Sequence, residues 1–174
     1  MKAKGLVPSN AIFAGHSLGE YAALASVANL FSIENLVELD FIRGITMQNA
    51  VSRDENGHSS FGMVAVNPQR IKNSFKLKDL QEIVNEISKQ SNKLLQIVNY
   101  NVENWQYVVT GYNSNLEVLR IVLDKLKEST TKINIAELVS NILKQFSEEK
   151  YYELKKGAAS IPLSGIDVPF HSSI

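Results

Sequence analysis

The sequence has no cysteine among its 174 residues. This absence excludes disulfide bonds, thiolate metal sites and a cysteine nucleophile. An excess of one charge is also missing, because 18 Lys and Arg residues are balanced by 18 Asp and Glu residues. Proteins that bind nucleic acid usually carry a basic excess, so we expect no nucleic-acid partner.

Long apolar runs and histidine clusters are also missing. No apolar stretch approaches the ~20 residues that a membrane-spanning helix needs. No apolar segment follows Lys2 and Lys4 as it would in a signal peptide. The sequence therefore predicts a cytoplasmic protein without a membrane partner. His16, His58 and His171 are too scattered to predict a metal site.

The apolar fraction of 44% is ordinary for one globular domain. The short apolar run over residues 11–14 predicts a buried strand. The apolar, Ala- and Leu-rich stretch over residues 20–31 predicts a deeply buried helix. Ser32 can cap a second helix that reaches about Gln48 and has buried apolar positions. A polar loop is expected over residues 52–60.

Strands and helices alternate in the middle of the chain. We predict strands over 62–66, 94–100 and 105–110, and helices over 79–89 and 116–127. This order indicates a small α+β subdomain inserted in a larger sheet. An amphipathic helix follows, with apolar residues at helical spacing: Ile135, Leu138, Val139, Ile142, Leu143 and Phe146. Packing on the protein surface is favoured for it over binding a partner.

The sharpest local feature is the segment Gly15-His16-Ser17-Leu18-Gly19. Between a strand and a helix, this is the Gly-x-Ser-x-Gly pattern of a nucleophile elbow. The turn strains the backbone at the serine, and Cβ atoms at the two glycine positions would collide with neighbouring elements. Ser17 is therefore the candidate nucleophile. The N–H of Leu18, at the start of the following helix, is the candidate oxyanion donor.

A serine hydroxyl needs a base to become a good nucleophile. His171 is the candidate, because it follows an extended segment whose course is fixed by Pro169. His58 lies in a polar loop and is expected to be exposed, and His16 is expected to be structural.

Arg43 lies among apolar neighbours, where an unpaired charge would be costly. It can form a salt bridge with Glu38 or Asp40, the reading that composition alone favours. It can instead bind a substrate carboxylate through two parallel hydrogen bonds.

Four ordered blocks together resemble the malonyl-CoA:acyl-carrier-protein transacylase family. They are Gly15-His-Ser-Leu-Gly-Glu-Tyr-Ala-Ala-Leu24, Arg43-Gly-Ile-Thr-Met-Gln48, Asn99-Tyr-Asn101 and Val168-Pro-Phe-His171. The likeness covers nearly the whole chain. It is particularly close to the malonyl/palmitoyl transferase domain of fungal fatty-acid synthase β subunits.

The resemblance implies roles for the matching positions. Ser17 would carry the acyl group as an ester, and His171 would move the proton. Leu18 would supply an oxyanion-hole N–H, and Arg43 would bind the malonyl carboxylate, against the salt-bridge reading. Asn101 would have a supporting role in substrate binding.

The resemblance also implies an α/β fold class. An incomplete α/β-hydrolase-like core with the elbow would comprise residues 1–60 and 158–174. Residues 61–127 would form a ferredoxin-like subdomain, and residues 128–157 a charged helical insertion. The substrates would be malonyl-CoA and acyl-CoA, without a metal or a permanently bound cofactor. The partners would be phosphopantetheine-bearing acyl carrier protein and the other fatty-acid synthase domains and subunits.

In the family, the large subdomain starts before the position of Met1 and continues past that of Ile174. One oxyanion donor and the carbonyl that orients the histidine belong to those parts. A chain without them would have unpaired sheet edges and a reaction barrier higher by ~3 kcal/mol. The missing parts keep open the alternative of a catalytically inactive truncated fragment. A serine esterase is a further alternative, which explains the elbow but not Arg43.

Overall fold

The computed structural model describes residues 4–28, 30–146 and 152–174. The chain divides into two compact units, Met1–Ala50 and Val51–Ile174.

The first unit contains helix α1 (Leu18–Ala28) and helix α2 (Ile33–Asn49), which pack against each other. Ser32 caps α2, because its Oγ accepts a hydrogen bond from the Asn35 N–H at 3.2 Å. Glu34 lies in the first turn, where a negative charge stabilises the helix. The predicted cap and helix are confirmed.

Two predictions for this unit are wrong. Residues 11–14 have no regular structure, because a strand needs a neighbour for hydrogen bonding and none occurs in residues 4–28 and 30–50. The helices are not deeply buried either. Leu24 is 53% exposed, Phe41 is 66% exposed, and α2 has no buried residue. So short a unit cannot cover both apolar helices.

The second unit contains a sheet of strands β1 (Phe61–Val66), β2 (Leu95–Val102), β3 (Gln106–Tyr112) and β4 (Ser160–Pro162). The spatial order is β2-β3-β1-β4, and every neighbouring pair is antiparallel. The predicted α/β class is thus confirmed as a mixed α and β structure with a small antiparallel sheet.

Three helices complete the second unit: α3 (Leu77–Ser91), α4 (Asn113–Glu128) and α5 (Ile135–Leu143). Helix α3 packs on β2, α4 packs on β3 and β1, and α5 packs on both other helices. The chain order is that of a β-α-β-β-α-β unit, with α5 as an added helix before the last strand. The strands and helices predicted for residues 62–127 are confirmed within a few residues.

The apolar core of this unit lies between the sheet and the helices. Its fully buried members include Val66, Leu80, Val109, Leu119 and Val139. The predicted amphipathic helix is confirmed, because the apolar side of α5 packs into this core. Part of the predicted insertion over 128–157 lies outside the described residues. The subdomain boundaries given above stay predictions.

Two carboxylates of α4 hold the segment that leads to β4. The Lys155 N–H donates to Glu117 Oε1 at 2.7 Å, and the Ala158 N–H donates to Asp124 Oδ1 at 2.8 Å. Arg120 binds the other oxygen of each carboxylate, at 2.8 and 3.0 Å. The segment therefore runs alongside the helix before it joins the sheet.

Candidate active site

Ser17 has a left-handed backbone, with φ of 52°, and α1 begins at the next residue. A residue with a Cβ atom adopts this conformation at an energetic cost, so it occurs where the surroundings enforce it. Its side chain is half-buried. The serine of the Gly-x-Ser-x-Gly segment thus lies on a strained turn at the amino end of a helix.

The two glycines of this segment differ. A Cβ atom at Gly15 would lie 1.9 Å from the Gly19 carbonyl oxygen, which no real side chain tolerates. A Cβ atom at Gly19 would meet nothing within 4 Å. The predicted crowding is confirmed at Gly15, where the backbone of Gly19 and Glu20 fills the space, and is wrong at Gly19, whose Cβ position faces open space.

Leu18 is the first residue of α1. The first N–H groups of a helix have no acceptor within it, and the helix dipole places positive potential beside them. The turn is closed instead by the Gly19 and Glu20 N–H groups, which donate to the carbonyls of His16 and Ser17 at 3.0 Å each. This arrangement suits the stabilisation of an anion beside Ser17.

Arg43 of α2 lies against Tyr21 of α1, with its guanidinium carbon 5.6 Å from the ring centre. Among the residues that the structure describes, Arg43 forms no ion pair with Glu38 or Asp40. The cation–π contact orients the guanidinium without neutralising its charge. The arrangement favours the carboxylate-binding alternative over the salt bridge.

His171 lies in the second unit, on a turn after the buried Val168. The Ser172 N–H donates to the Pro169 carbonyl at 3.3 Å, and His171 has a left-handed φ of 63°. The side chain is exposed. His58 is also exposed, as predicted, and its Nδ1 lies 3.6 Å from Asp54 Oδ2.

The segment around His171 is held at both ends by distant residues. Arg53 binds both oxygens of Asp167, and the Ser59 hydroxyl donates to the Asp167 carbonyl. The hydrogen bond from Arg53 lowers the pKa of Asp167 below its ordinary value. Beyond the histidine, Ser173 exchanges two hydrogen bonds with Gln96.

Sequence reasoning missed these anchoring residues. Their partners lie 114 and 77 positions away, and no periodic pattern connects residues at such distances. Gln96 is one of three polar residues of β2, with Asn99 and Asn101, so its position alone does not mark it as an anchoring residue.

Asn101 lies near the end of β2, at an irregular position. Tyr100 pairs with Tyr107 and Val102 pairs with Gln106, so Asn101 is the extra residue of a bulge. Bulges redirect side chains and are frequent beside active sites. Its side chain is exposed.

The candidate residues are divided between the two units. Ser17, Leu18 and Arg43 belong to the first unit, whereas Asn101 and His171 belong to the second. No group of three His, Asp or Glu side chains in residues 4–28, 30–146 and 152–174 is arranged to hold a metal ion. Across the same residues, no helix combines the length and apolarity needed to cross a membrane.

A family model described as acyl transferase domain matches residues 1–174. The chain belongs to the acyl transferase domain family. The membership predicted from the four sequence blocks is therefore confirmed.

Fungal relatives extend this result. The chain is 49% identical to fatty acid synthase subunit beta of Schizosaccharomyces pombe, over 99% of this chain and 9% of that protein. It is 47% identical to the same subunit of Saccharomyces cerevisiae, with the same coverage of both chains. The chain thus spans 9% of the length of these relatives.

Solved structures agree on the acyltransferase fold. FabD from Acinetobacter baumannii matches with a TM-score of 0.52 and 22% identity, over 89% of this chain and 35% of that one. The acyl-carrier-protein-S-malonyltransferase from Bartonella henselae matches with a TM-score of 0.51 and 28% identity, over 75% and 40%.

Proposed function

We propose that this acyltransferase domain moves malonyl groups, and also palmitoyl groups, between coenzyme A and an acyl carrier protein in fatty-acid synthesis, through an ester on Ser17. The observation that carries the proposal is the strained backbone of Ser17 at the start of α1, together with the crowding that demands glycine at position 15. Both are features of a nucleophile elbow, although no strand precedes the turn over residues 11–14.

In the proposed first half-reaction, His171 takes the proton of Ser17 as Oγ attacks the thioester carbonyl. The developing oxyanion accepts a hydrogen bond from the Leu18 N–H. The carbon–sulfur bond then breaks, and the coenzyme A thiolate takes the proton back from His171. In the second half-reaction, the phosphopantetheine thiol gives its proton to His171 and attacks the ester, and Ser17 recovers a proton as it leaves.

We assign the malonyl carboxylate to Arg43, because its guanidinium is held by Tyr21 and remains unneutralised by Glu38 or Asp40. Asn101 would contact the substrate from its bulge in β2. The proposal needs no metal and no permanently bound cofactor.

The proposal extends to architecture and partners. The first unit would contribute to the α/β-hydrolase-like core, and residues 61–127 would form the inserted ferredoxin-like subdomain, to whose sheet β4 adds a strand beside β1. The high identity to fungal β subunits supports acyl carrier protein and other fatty-acid synthase domains as partners. A cytoplasmic location stays a prediction.

The test is mass spectrometry of the folded chain after brief exposure to malonyl-CoA, with Ser17→Ala as the matched control. We expect a malonyl adduct on the parent and none on the variant. An adduct that persists in Ser17→Ala rules out this nucleophile. A folded parent without an adduct would favour the inactive-fragment alternative, and rapid hydrolysis of neutral esters without malonyl preference would favour the esterase.

A further inference from the structure

The backbone of His171 adopts a conformation that is unfavourable for a residue with a side chain. A φ of 63° lies in the left-handed region, which a histidine adopts only when neighbouring interactions enforce it. Within the turn, the Ser172 N–H and hydroxyl both donate to the Pro169 carbonyl, at 3.3 and 2.7 Å. These bonds close the turn but do not attach it to the sheet.

One attachment precedes the histidine. Asp167 accepts hydrogen bonds from both Nη atoms of Arg53, and its carbonyl accepts from the Ser59 hydroxyl. Ser59 is buried, and its Oγ also accepts from the Phe61 N–H at 3.0 Å, so this attachment continues directly into β1. It is part of the packing of the unit.

The other attachment follows the histidine and is formed by one side chain. Gln96 Nε2 donates to Ser173 Oγ at 2.9 Å, and the Ser173 N–H donates to Gln96 Oε1 at 3.0 Å. The two bonds use both ends of the amide, so they fix the direction of the backbone as well as its position. Gln96 lies on β2, the strand that also carries Asn101.

We infer that Gln96 is a positioning residue for His171: its paired hydrogen bonds with Ser173 hold the histidine turn at the geometry that general-base chemistry needs. The inference rests on the proposed function. A base must lie within hydrogen-bond reach of the proton that it takes, and a displacement of about 1 Å can lower a rate ~100-fold. Because these hydrogen bonds are exposed, removing them leaves the core of the unit intact.

The test compares three variants of the 174-residue chain. Gln96→Met keeps the length of the side chain and loses both hydrogen bonds. Gln96→Glu keeps two acceptors, one for the Ser173 N–H and one for the Ser173 hydroxyl. Gln90→Met is the control, because it removes a glutamine whose Nε2 donates to Glu86 Oε1 at 2.7 Å and to the Ala136 carbonyl at 2.9 Å, on α3.

The first readout is the single-turnover rate of acyl-enzyme formation with malonyl-CoA. We expect Gln96→Met to lower the limiting rate between about tenfold and a hundredfold. In Gln96→Met, the malonyl-CoA concentration that gives the half-maximal rate should not change. The midpoint of its thermal unfolding should equal that of the parent. Gln96→Glu should recover most of the rate, and Gln90→Met should match the parent. An unchanged limiting rate in Gln96→Met overturns the inference, as does a loss explained by unfolding.

The second readout is hydrogen exchange of the Ser173 amide, which does not depend on activity. We expect it to accelerate at least tenfold in Gln96→Met and to stay unchanged in Gln90→Met. Unchanged exchange in Gln96→Met means that Gln96 does not hold the turn, and it overturns the inference. A parent that forms no Ser17 adduct overturns the proposed function and the catalytic role of Gln96 together. In that case, hydrogen exchange of the Ser173 amide still shows whether Gln96 holds the turn, so a failure of the proposed function is distinguished from a failure of the Gln96–Ser173 contact.

Discussion

The guanidinium carbon of Arg43 lies 5.6 Å from the centre of the Tyr21 ring, so a charged group of α2 is oriented by the helix that follows Ser17. This contact leaves the hydrogen-bond donors at the edge of the guanidinium available for a planar anion. We therefore expect Arg43 to select the acyl group.

Arg43→Ala should lower malonyl transfer by roughly 10- to 100-fold, the effect of losing a charge-assisted hydrogen bond. Palmitoyl transfer should change far less, because that acyl group has no carboxylate. Arg43→Lys should recover only part of the malonyl rate, since an ammonium cannot form the paired hydrogen bonds. Both transfer rates are measured with the two acyl-CoA substrates, and Arg70→Ala, at an exposed arginine of the second unit, serves as control. Equal losses for malonyl and palmitoyl would contradict the assignment.

The glycines of the Gly15-His16-Ser17-Leu18-Gly19 segment provide a matched pair of substitutions. Gly15→Ala should destabilise the chain by about 1–3 kcal/mol, because its Cβ atom would overlap the Gly19 carbonyl. Gly19→Ala lies in α1 with open space around the new methyl group, and should be neutral or stabilising by up to ~1 kcal/mol. The free energy of unfolding in urea measures both. Equal destabilisation by the two substitutions would exclude the backbone geometry described for this turn.

The backbone conformation of Ser17 can be tested without an assay of activity. Ser17→Gly and Ser17→Ala both remove the nucleophile, but only glycine adopts a φ of 52° without strain. We expect Ser17→Gly to be more stable than Ser17→Ala by roughly 1 kcal/mol in urea unfolding. An alanine variant as stable as the glycine variant would mean that the residue is not held in the left-handed region.

The Arg53–Asp167 pair should make stability depend on pH in acid. The Arg53 hydrogen bond lowers the pKa of Asp167 below its ordinary value of about 3.8, so the folded chain favours the ionised carboxylate. Its stabilising contribution is complete above that pH and disappears as pH falls through the lowered pKa. The difference in unfolding free energy between the parent and Asp167→Asn should thus be constant near neutral pH and shrink in acid. High salt should reduce it, because the pair is partly exposed. A difference that grows with acidity would contradict the pairing.

The second unit was largely predictable from its sequence, because helices α3, α4 and α5 each bury apolar residues at helical spacing and strands β1 and β3 are mostly buried. Helix α5 is an example, since its apolar positions repeat at helical spacing and pack into the core. The first unit was predictable only in part. The cap at Ser32 is a local property and was found, whereas the exposure of Phe41 on the predicted buried side of α2 depends on packing partners that a local pattern does not reveal.

The candidate site was also predictable only in part. Ser17 was recognisable because the Gly-x-Ser-x-Gly spacing describes a local turn, and its strained φ follows from that turn. The hydrogen bonds that fix the turn of His171 were not recognisable, because Gln96 and Ser173 meet only after the sheet has formed. The local turn at Ser17 was thus readable from the sequence, and the hydrogen bonds that hold the histidine segment were not.

The carboxylates of α4 set where the chain enters β4. Glu117 accepts a hydrogen bond from the Lys155 N–H, and Asp124 accepts one from the Ala158 N–H. The position at which the chain enters β4 is therefore fixed by two side chains of one helix, and not by the length of the chain that precedes it. The number of residues between Glu128 and Lys155 therefore does not determine the strand register. Insertions in the mostly exposed segment 129–134, which precedes α5, should be tolerated in evolution, and this segment is a rational position for grafting a tag or a reporter domain, whereas α5 itself packs into the core.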